Sequence, residues 1–261
     1  MATYVPTWAE LLKEAVNTPG MMLNAYSAFH NYSSGNQALA LWQCMLRGLR
    51  PGPLNTYPGW QKLGRQVRKG ERALTLLMPI TVKDKRPEAV GTDEEGKTYT
   101  AFVYKPHWFV LAQTEGDELP PVVVPDFDAD RALTILGIER VAFERMNGNS
   151  QGYASGQQIA INPLAELPHK SFFHETAHVV LGHTAEGDCV DEETTPFSLQ
   201  QIEAESVALI CCESLGLAGA EFCRGYIQGW LGGAAEIPDK SAQKIFRAAD
   251  LILRAGRGEQ C

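Results

Sequence analysis

The 261-residue sequence predicts an α+β protein with two domains. Segments with apolar side chains at helical spacing dominate the second half, whereas an aromatic and β-branched run at residues 98–112 indicates a strand in the first half. Three prolines within residues 118–128 are typical of an interdomain linker. We therefore expect a small mixed N-terminal domain over residues 1–117, a linker over 118–129, and a mainly helical C-terminal domain with a short sheet over 130–261.

Two helices are predicted in the N-terminal domain. The first covers residues 7–16, where Thr7 and Glu10 have the spacing of a capping box. The second covers residues 36–49, because large apolar side chains recur there at helical spacing. A Pro-Gly-Pro sequence follows it and ends the helix.

Strands are expected after these helices. Residues 73–79 are apolar and lead into a strand, and the run at 98–112 forms a longer one. Pro106 interrupts the longer strand, which requires a bulge, a bend or an edge position there. The charged segment between the strands, residues 83–97, is predicted to be an exposed loop.

The C-terminal half is predicted to be mainly helical. Its helical patterns cover residues 130–136, 170–182, 199–215, 220–230 and 241–254. Short strands are expected at residues 141–143 and 159–161. Residues 152–162 have the pattern of a hairpin, whose edge could hold an extended peptide by main-chain pairing.

The composition is that of a globular protein, with 44% hydrophobic and 21% charged residues, which excludes a wholly disordered or collagen-like chain. No window approaches about 18 uninterrupted apolar residues, so no membrane-spanning helix is expected. Residues 1–12 lack the basic and apolar regions of a secretory signal. A cytoplasmic location, without a membrane partner, is therefore the expectation.

Charge is distributed unevenly along the chain. The net charge of −8 divides into +2 over residues 1–125 (13 basic, 11 acidic) and −10 over residues 126–261 (10 basic, 20 acidic). Residues 47–72 contain seven basic side chains against Glu71 alone, a local charge of +6. This segment predicts either an anionic partner or a plain solvated surface.

The strongest chemical signal is the pentapeptide His174-Glu175-Thr176-Ala177-His178, an H-E-x-x-H motif. Residues four apart lie on one face of a helix, so both imidazoles can contact one metal ion. Glu175 lies beside them, where it can accept a proton from a water that the metal activates. Since apolar residues flank the motif, its polar side chains would be costly to bury without a partner.

A third protein ligand is needed, and three residues are candidates. His183 follows His178 by five residues, which does not fit the six-residue spacing of the metzincins. Glu203 and Glu205 lie on the predicted helix at 199–215. Glu205 shares a face with apolar residues, where a buried carboxylate needs a compensating cation. We therefore predict Glu205 as the ligand, with Glu203 as the alternative, and Zn²⁺ as the metal.

Short runs in both halves of the chain match one family. They are YSSGN at residues 32–36, YPGW at 57–60, LG at 63–64, VRKGE at 67–71, VLAQTEG at 110–116, HETAH at 174–178, GH at 182–183 and AE at 204–205. In these residues the chain resembles the ArdC-type antirestriction family, which is carried by plasmids and other mobile elements.

The resemblance implies an N-terminal domain that binds single-stranded DNA and a C-terminal zincin-like metallopeptidase domain. It also implies protection of incoming DNA from host restriction. Carried over by position, His174, His178 and Glu205 would be zinc ligands and Glu175 the general base.

Single-strand binding is also favoured by the residues themselves, because such proteins combine basic grooves with aromatic stacking platforms. The candidates are Asn36, Tyr57, Trp60, Lys62, Arg65, Arg68, Lys69 and Arg72. Asn36 has an alternative role as a helix cap, which we favour. Residues 104–108 could extend the same surface.

Three other functions remain open at this point. The chain could coat single-stranded DNA without catalysis, around a structural metal. It could instead be a DNA-dependent protease that cleaves protein substrates bound at or near DNA. A regulatory metalloprotease with an incidental basic segment is the third alternative.

Overall fold

The computed structural model describes residues 4–83, 98–144, 150–185, 189–192, 199–232 and 236–259. Within these residues, helices form most of the regular structure and three small sheets form the rest, so the predicted α+β class is confirmed. The chain divides into two compact units. We call residues 1–53 with 120–261 the larger unit, and residues 54–119 the smaller unit.

These units differ from the predicted domains, because the first 53 residues belong with the C-terminal half. The physical reason lies in helix packing and capping. The first three helices pack on C-terminal helices, whose carboxylates accept backbone N–H groups near the start of each. An amphipathic helix shows which of its faces is apolar, but its sequence does not name the partner that covers that face.

The helices of the larger unit are numbered here in chain order. They are α1 (Trp8–Asn17), α2 (Met21–Phe29), α3 (Ser34–Arg47), α5 (Ala129–Leu136), α6 (Pro168–Leu181), α7 (Leu199–Ser214), α8 (Ala220–Leu231) and α9 (Asp239–Arg257), with α4 in the smaller unit. The predicted capping box of α1 is present, since Thr7 and Glu10 bond reciprocally. Helix α2 was not predicted from the sequence.

Helix α7 forms the centre of the larger unit. It packs against α2, α6, α8 and α9, and all of its residues from Gln201 to Ser214 are buried. Burial on every side explains why this helix lacks a clear polar face. Its acidic side chains therefore lie inside the protein, where each needs a compensating partner.

A four-stranded sheet packs on α6 in the same unit. Its strands are β6 (Glu139–Arg140), β7 (Ser150–Ser155), β8 (Gln158–Ile161) and β9 (Cys189–Glu192), in the order β6-β8-β7-β9. The predicted hairpin is formed by β7 and β8, and β6 replaces the strand expected at residues 141–143. Because β7 pairs with both β8 and β9, it offers no free edge to a peptide.

The smaller unit contains a three-stranded and a two-stranded antiparallel sheet. Its elements are β1 (Leu54–Thr56), α4 (Tyr57–Lys62), β2 (Arg65–Val67), β3 (Leu74–Lys83), β4 (Thr98–Val110) and β5 (Thr114–Gly116). Strand β4 lies between β1 and β3. The β3–β4 register shifts between Leu74 and Thr75, which pair with Trp108 and Pro106, so the irregularity lies beside the proline as predicted. The loop expected at 83–97 falls almost entirely outside the described residues.

No helix among the described residues is both long enough and apolar enough to cross a membrane.

Candidate functional site

The H-E-x-x-H motif lies in the middle of α6, as its spacing predicts. The helix begins with Pro168 at its first position and ends at Gly182, whose φ of 79° gives a left-handed C-cap. His174, Glu175 and His178 are each at most 1% exposed, because α7 covers one side of the helix and the four-stranded sheet contacts it as well. Three polar side chains are therefore held in a dry environment.

The two motif histidines turn the same nitrogen toward one point. The Nε2 atoms of His174 and His178 lie 3.1 Å apart, and the rings meet edge to face with centroids 4.8 Å apart. The i,i+4 spacing on α6 places them on one face of the helix. This geometry places the two Nε2 atoms close enough to contact one ligand.

The far nitrogen of His174 is held by a carboxylate. Its Nδ1 lies 2.6 Å from Oε2 of Glu205, and Nζ of Lys170 lies 3.3 Å from the same oxygen. Lys170 and Glu205 are both buried. The structure thus brings the predicted ligand Glu205 to His174, but on the Nδ1 side of the ring.

The far nitrogen of His178 is held by a second pair. Its Nδ1 lies 2.9 Å from Nδ1 of His183, whose Nε2 lies 2.9 Å from Oε2 of Glu203. One of the two Nδ1 atoms must carry the hydrogen, and the carboxylate accepts one from Nε2 of His183. The proton arrangement that follows leaves Nε2 of His178 as an acceptor.

Burial and charge favour this arrangement. Burial lowers the pKa of His178 to about 2, with contributions from His174 and His183, so the ring is neutral. The pKa of Glu203 is also lowered, because hydrogen bonds from His183 and Ser241 outweigh the effect of burial. A neutral imidazole and an ionised carboxylate are the states that a metal site requires.

Gln201 is a residue that the sequence analysis did not select. Its Oε1 lies 3.1 Å from Nε2 of His174, and its side chain also contacts the His178 ring. It sits one turn before Glu205 on α7, so both reach the same histidine from one helix face. The only feature of the sequence that could have indicated Gln201 is its position four residues before Glu205 on the same helix.

Within the described ranges, no three His, Cys, Asp or Glu side chains gather around a point that could hold a metal ion. Two histidines and a glutamine amide meet there instead. The third group beside the two Nε2 atoms is therefore an amide rather than a carboxylate, thiol or imidazole.

Glu175 lies against strand β7 of the sheet. A Cβ added at Gly152 of β7 would lie 2.9 Å from both Cγ and Oε1 of Glu175. The absence of a side chain at Gly152 therefore makes the space that this carboxylate occupies. Sequence analysis missed Gly152, whose only signal was a glycine in a predicted strand.

The smaller unit contains seven of the eight predicted DNA-binding residues. Tyr57 is 39% exposed, and Lys62, Lys69 and Arg72 are exposed as well. Trp60 is 1% exposed and donates its Nε1–H to the backbone oxygen of Phe109 at 2.8 Å. The prediction that Trp60 stacks on bases is therefore wrong for this structure, because the indole is a core side chain.

Two of the predicted arginines bond within the smaller unit. Arg65 donates to Oγ1 of Thr114 at 2.8 Å and to the backbone oxygen of Gly116 at 3.0 Å. Arg68 donates to the backbone oxygen of Thr114 at 3.3 Å and to Glu71 at 3.0 Å. Arg65 thereby joins β2 to β5, and Arg68, just after β2, also bonds to β5, so part of the basic segment stabilises the fold.

Asn36 belongs to the larger unit, whereas the other seven candidates belong to the smaller unit. The N-cap of α3 is Ser33, and Asn36 lies inside the first turn. The predicted capping role is therefore wrong, since the helix begins two residues earlier than its apolar pattern.

Strand β4 carries exposed aromatic side chains. Phe102 is 63% exposed and Tyr104 is 40% exposed, and residues two apart lie on the same face of a strand. Tyr99 is also exposed, at 54%. Of these three residues, only Tyr104 was a sequence candidate for an extended surface. Phe102 was not predicted, although it lies on the same face of the strand as Tyr104.

The fold and the site define an α+β protein with a buried H-E-x-x-H helix in its larger unit. Residues 4–107 match the family model described as the N-terminal domain of anti-restriction factor ArdC. The resemblance to the ArdC-type family is thereby confirmed. No curated protein sequence matches the chain.

Two solved structures share the fold over nearly the whole chain. Both are crystal structures of the antirestriction protein ArdC from plasmid R388. The metal-free structure has 19% identity and a TM-score of 0.58, with 97% of this chain and 99% of that chain covered. The Mn(II)-bound structure has 18% identity and a TM-score of 0.53, with 95% and 97% covered. At these identities the likeness concerns the fold.

Proposed function

We propose that the chain is an antirestriction protein of a mobile element that binds single-stranded DNA and has a metal-dependent peptidase centre on α6. It would act in the cytoplasm of the cell that receives the DNA. The peptidase proposal rests on the 3.1 Å distance between the Nε2 atoms of His174 and His178 in a buried site. The related ArdC structure with Mn(II) supports a divalent metal, and two imidazoles make Zn²⁺ the expected one.

The orientation of the two histidine rings fits the binding of a divalent metal. Each motif histidine uses Nδ1 for a partner, Glu205 in one case and His183 in the other. Metal-ligating histidines are commonly oriented in this way, with the other ring nitrogen bonded to a carboxylate or a polar group. A metal held by His174 and His178 would supply Lewis-acid polarisation of a water or a carbonyl group.

Glu175 is suited to be the general base. Its carboxylate is buried and adjoins His174 in sequence, and α6 and Gly152 fix its position. A carboxylate in such a place can take a proton from the attacking water and deliver it to the leaving amine. The substrate would be a protein held at or near the bound DNA.

The smaller unit supports single-strand binding through exposed groups. Lys62, Lys69 and Arg72 can neutralise phosphates, and Tyr57 can stack on a base. Phe102 and Tyr104 add two aromatic side chains on one face of β4. These residues combine the two features that sequence-tolerant single-strand binders share.

The peptidase proposal is tested by metal content and by Glu175→Gln. We expect about one divalent metal per purified chain, lost in His178→Ala and retained in Glu175→Gln. We also expect Glu175→Gln to abolish cleavage of DNA-bound protein and to reduce protection of incoming DNA. Full protection by Glu175→Gln would favour coating without catalysis, and cleavage restricted to crosslinked proteins would favour a DNA-dependent protease.

Single-strand binding is tested by fluorescence anisotropy with labelled oligonucleotides over a salt series. The double variant Lys62→Glu with Lys69→Glu should weaken binding and flatten the salt slope by about 0.7 for each lost phosphate contact. The double variant Lys13→Glu with Lys240→Glu, at exposed lysines of α1 and α9, makes the same change in net charge and is the matched control, which should leave affinity nearly unchanged. Equal losses in both variants would contradict a local site.

A further inference from the structure

Three atoms that can donate electron pairs to a metal lie close together: the Nε2 atoms of the two motif histidines and Oε1 of Gln201. Oε1 of Gln201 and Nε2 of His178 each lie 3.1 Å from Nε2 of His174. Donor atoms at about 2.0–2.1 Å from a tetrahedral metal lie about 3.3 Å from one another. The spacing of these atoms is thus close to that of ligands around one ion.

Both candidate carboxylates are engaged elsewhere. Glu205 contacts the opposite nitrogen of His174 and pairs with Lys170, and Glu203 contacts His183. The two ring nitrogens of an imidazole point in widely divergent directions, so a group on Nδ1 is not in the position of a co-ligand on Nε2. Lys170 supplies the cation that burial of Glu205 requires.

We propose that Gln201, rather than Glu205, provides the third protein donor to the metal, through its amide oxygen. This inference rests on the metal centre of the proposed function. Glu205 then orients His174, and the pair His183–Glu203 orients His178. Since Gln201 and Glu205 are four residues apart on α7, one helix face supplies both the donor and the orienting carboxylate.

A neutral amide changes the character of the site. Two imidazoles and an amide leave the full double charge of the cation uncompensated by its protein ligands, whereas a glutamate would offset one unit. Carbonyl-type oxygens are ligands that Mn²⁺ accepts readily, while imidazoles suit Zn²⁺. We therefore expect moderate affinity for both ions and a smaller preference for Zn²⁺ than a His₂Glu site would give.

Cobalt spectroscopy of cysteine variants distinguishes the two positions. A thiolate bound directly to Co²⁺ gives a sulfur-to-metal charge-transfer band, whereas a thiol that touches only a ligand does not. In the full chain, Gln201→Cys should show this band and Glu205→Cys should not. The reverse pattern would overturn the inference while leaving the metal centre intact.

Affinity measurements keep the test independent of how well the cysteine variants fold. Competition with a chromophoric chelator should show that Gln201→Glu binds Zn²⁺ at least about tenfold more tightly than the unmodified chain, since it adds a charged ligand. Gln200→Glu, at the exposed neighbouring residue, is the matched control and should change affinity little. Equal affinities for Gln201→Glu and Gln200→Glu would overturn the inference. If the unmodified chain binds neither Co²⁺ nor Zn²⁺, the proposed metal centre itself is wrong.

Discussion

Nε2 of His183 lies 2.9 Å from Oε2 of Glu203, and through its other nitrogen His183 reaches His178. The carboxylate accepts the Nε2 hydrogen, so Nδ1 of His183 is left to accept a hydrogen from His178. Nε2 of His178 is then free of hydrogen and directed toward Nε2 of His174. A residue outside the motif thereby sets the tautomer of a motif histidine.

Replacement of His183 should therefore weaken metal binding without removing a ligand. For His183→Asn we expect a loss of about 10–100-fold in Zn²⁺ affinity, the usual effect of removing a partner that orients a ligand. Chelator competition measures the change. His169→Asn, at an exposed histidine of the same helix, is the control and should bind metal as the unmodified chain does. Unchanged affinity in His183→Asn would contradict the orienting role.

Gly152→Ala should disturb the general base. The new Cβ would lie 2.9 Å from Cγ and Oε1 of Glu175 and 3.0 Å from the backbone oxygen of Ala160. Because the backbone oxygen cannot easily move, we expect a loss of about 1–3 kcal/mol in the free energy of unfolding, and a displaced Glu175. Urea denaturation and the rate of peptide cleavage are the two measurements.

The control for this substitution is Gly225→Ala in α8. A Cβ there meets nothing within 4 Å, and the residue is helical. We expect a gain of up to about 1 kcal/mol from the higher helix propensity of alanine. If Gly152→Ala is as stable and as active as Gly225→Ala, the position of Glu175 does not depend on the missing side chain at residue 152.

The sequence predicts helix α6 and the shared face of its two histidines well, because a four-residue spacing fixes which side chains lie on one face. It does not single out Gln201, which we propose as the third donor in place of the predicted Glu205. The buried position of Glu205 indicates a compensating cation, yet the structure provides Lys170 and the His174 ring for that purpose. Since α7 is buried on every side, its pattern does not separate the face of Gln201 from the others.

The limits of domain prediction have a similar cause. The apolar faces of α1 and α3 are visible in the sequence, but their partners are about 200 residues away. Glu213 of α7 accepts the N–H groups of Gly20 and Met22 at the start of α2, at 2.7 and 2.9 Å. Asp250 of α9 accepts the N–H of Ser34 at 3.0 Å. Capping by residues so distant leaves no local signal.

Asp250 gives a prediction about pH. Burial raises its pKa above the ordinary value of 3.8, although the hydrogen bond from Ser34 and the charges of Arg254 and Arg257 oppose the rise. The folded state therefore holds the proton more tightly than the unfolded chain. The contribution of this carboxyl to stability is full below pH 3.8 and is lost as the pH rises through the raised pKa.

Asp250→Asn removes this dependence while keeping an oxygen that can accept the Ser34 N–H. The stability of the variant relative to the unmodified chain should therefore increase as pH rises from about 4 to 7. Urea denaturation across that range measures it. Asp239→Asn, at an exposed carboxylate that accepts the Ala9 N–H, is the comparison. A pH-dependent difference no larger at Asp250 than at Asp239 would contradict the prediction.

The opposite environments of Tyr57 and Trp60 separate DNA contact from stability. Tyr57 is 39% exposed, so Tyr57→Ala should cost about 1–3 kcal/mol of affinity for a single-stranded oligonucleotide with little change in stability. Trp60 is 1% exposed and bonded to the Phe109 backbone, so Trp60→Ala should cost about 3–5 kcal/mol of stability instead.

Trp60→Phe makes the distinction sharp. Phenylalanine keeps most of the apolar volume but leaves the backbone oxygen of Phe109 without the indole donor, so we expect a loss of about 1–3 kcal/mol in stability. Anisotropy titrations at a temperature where the variant is folded should give the affinity of the unmodified chain, since a buried ring cannot stack on a base. Weaker binding by folded Trp60→Phe, with unchanged binding by Tyr57→Ala, would mean that the DNA-bound form exposes the indole and that the two residues exchange roles.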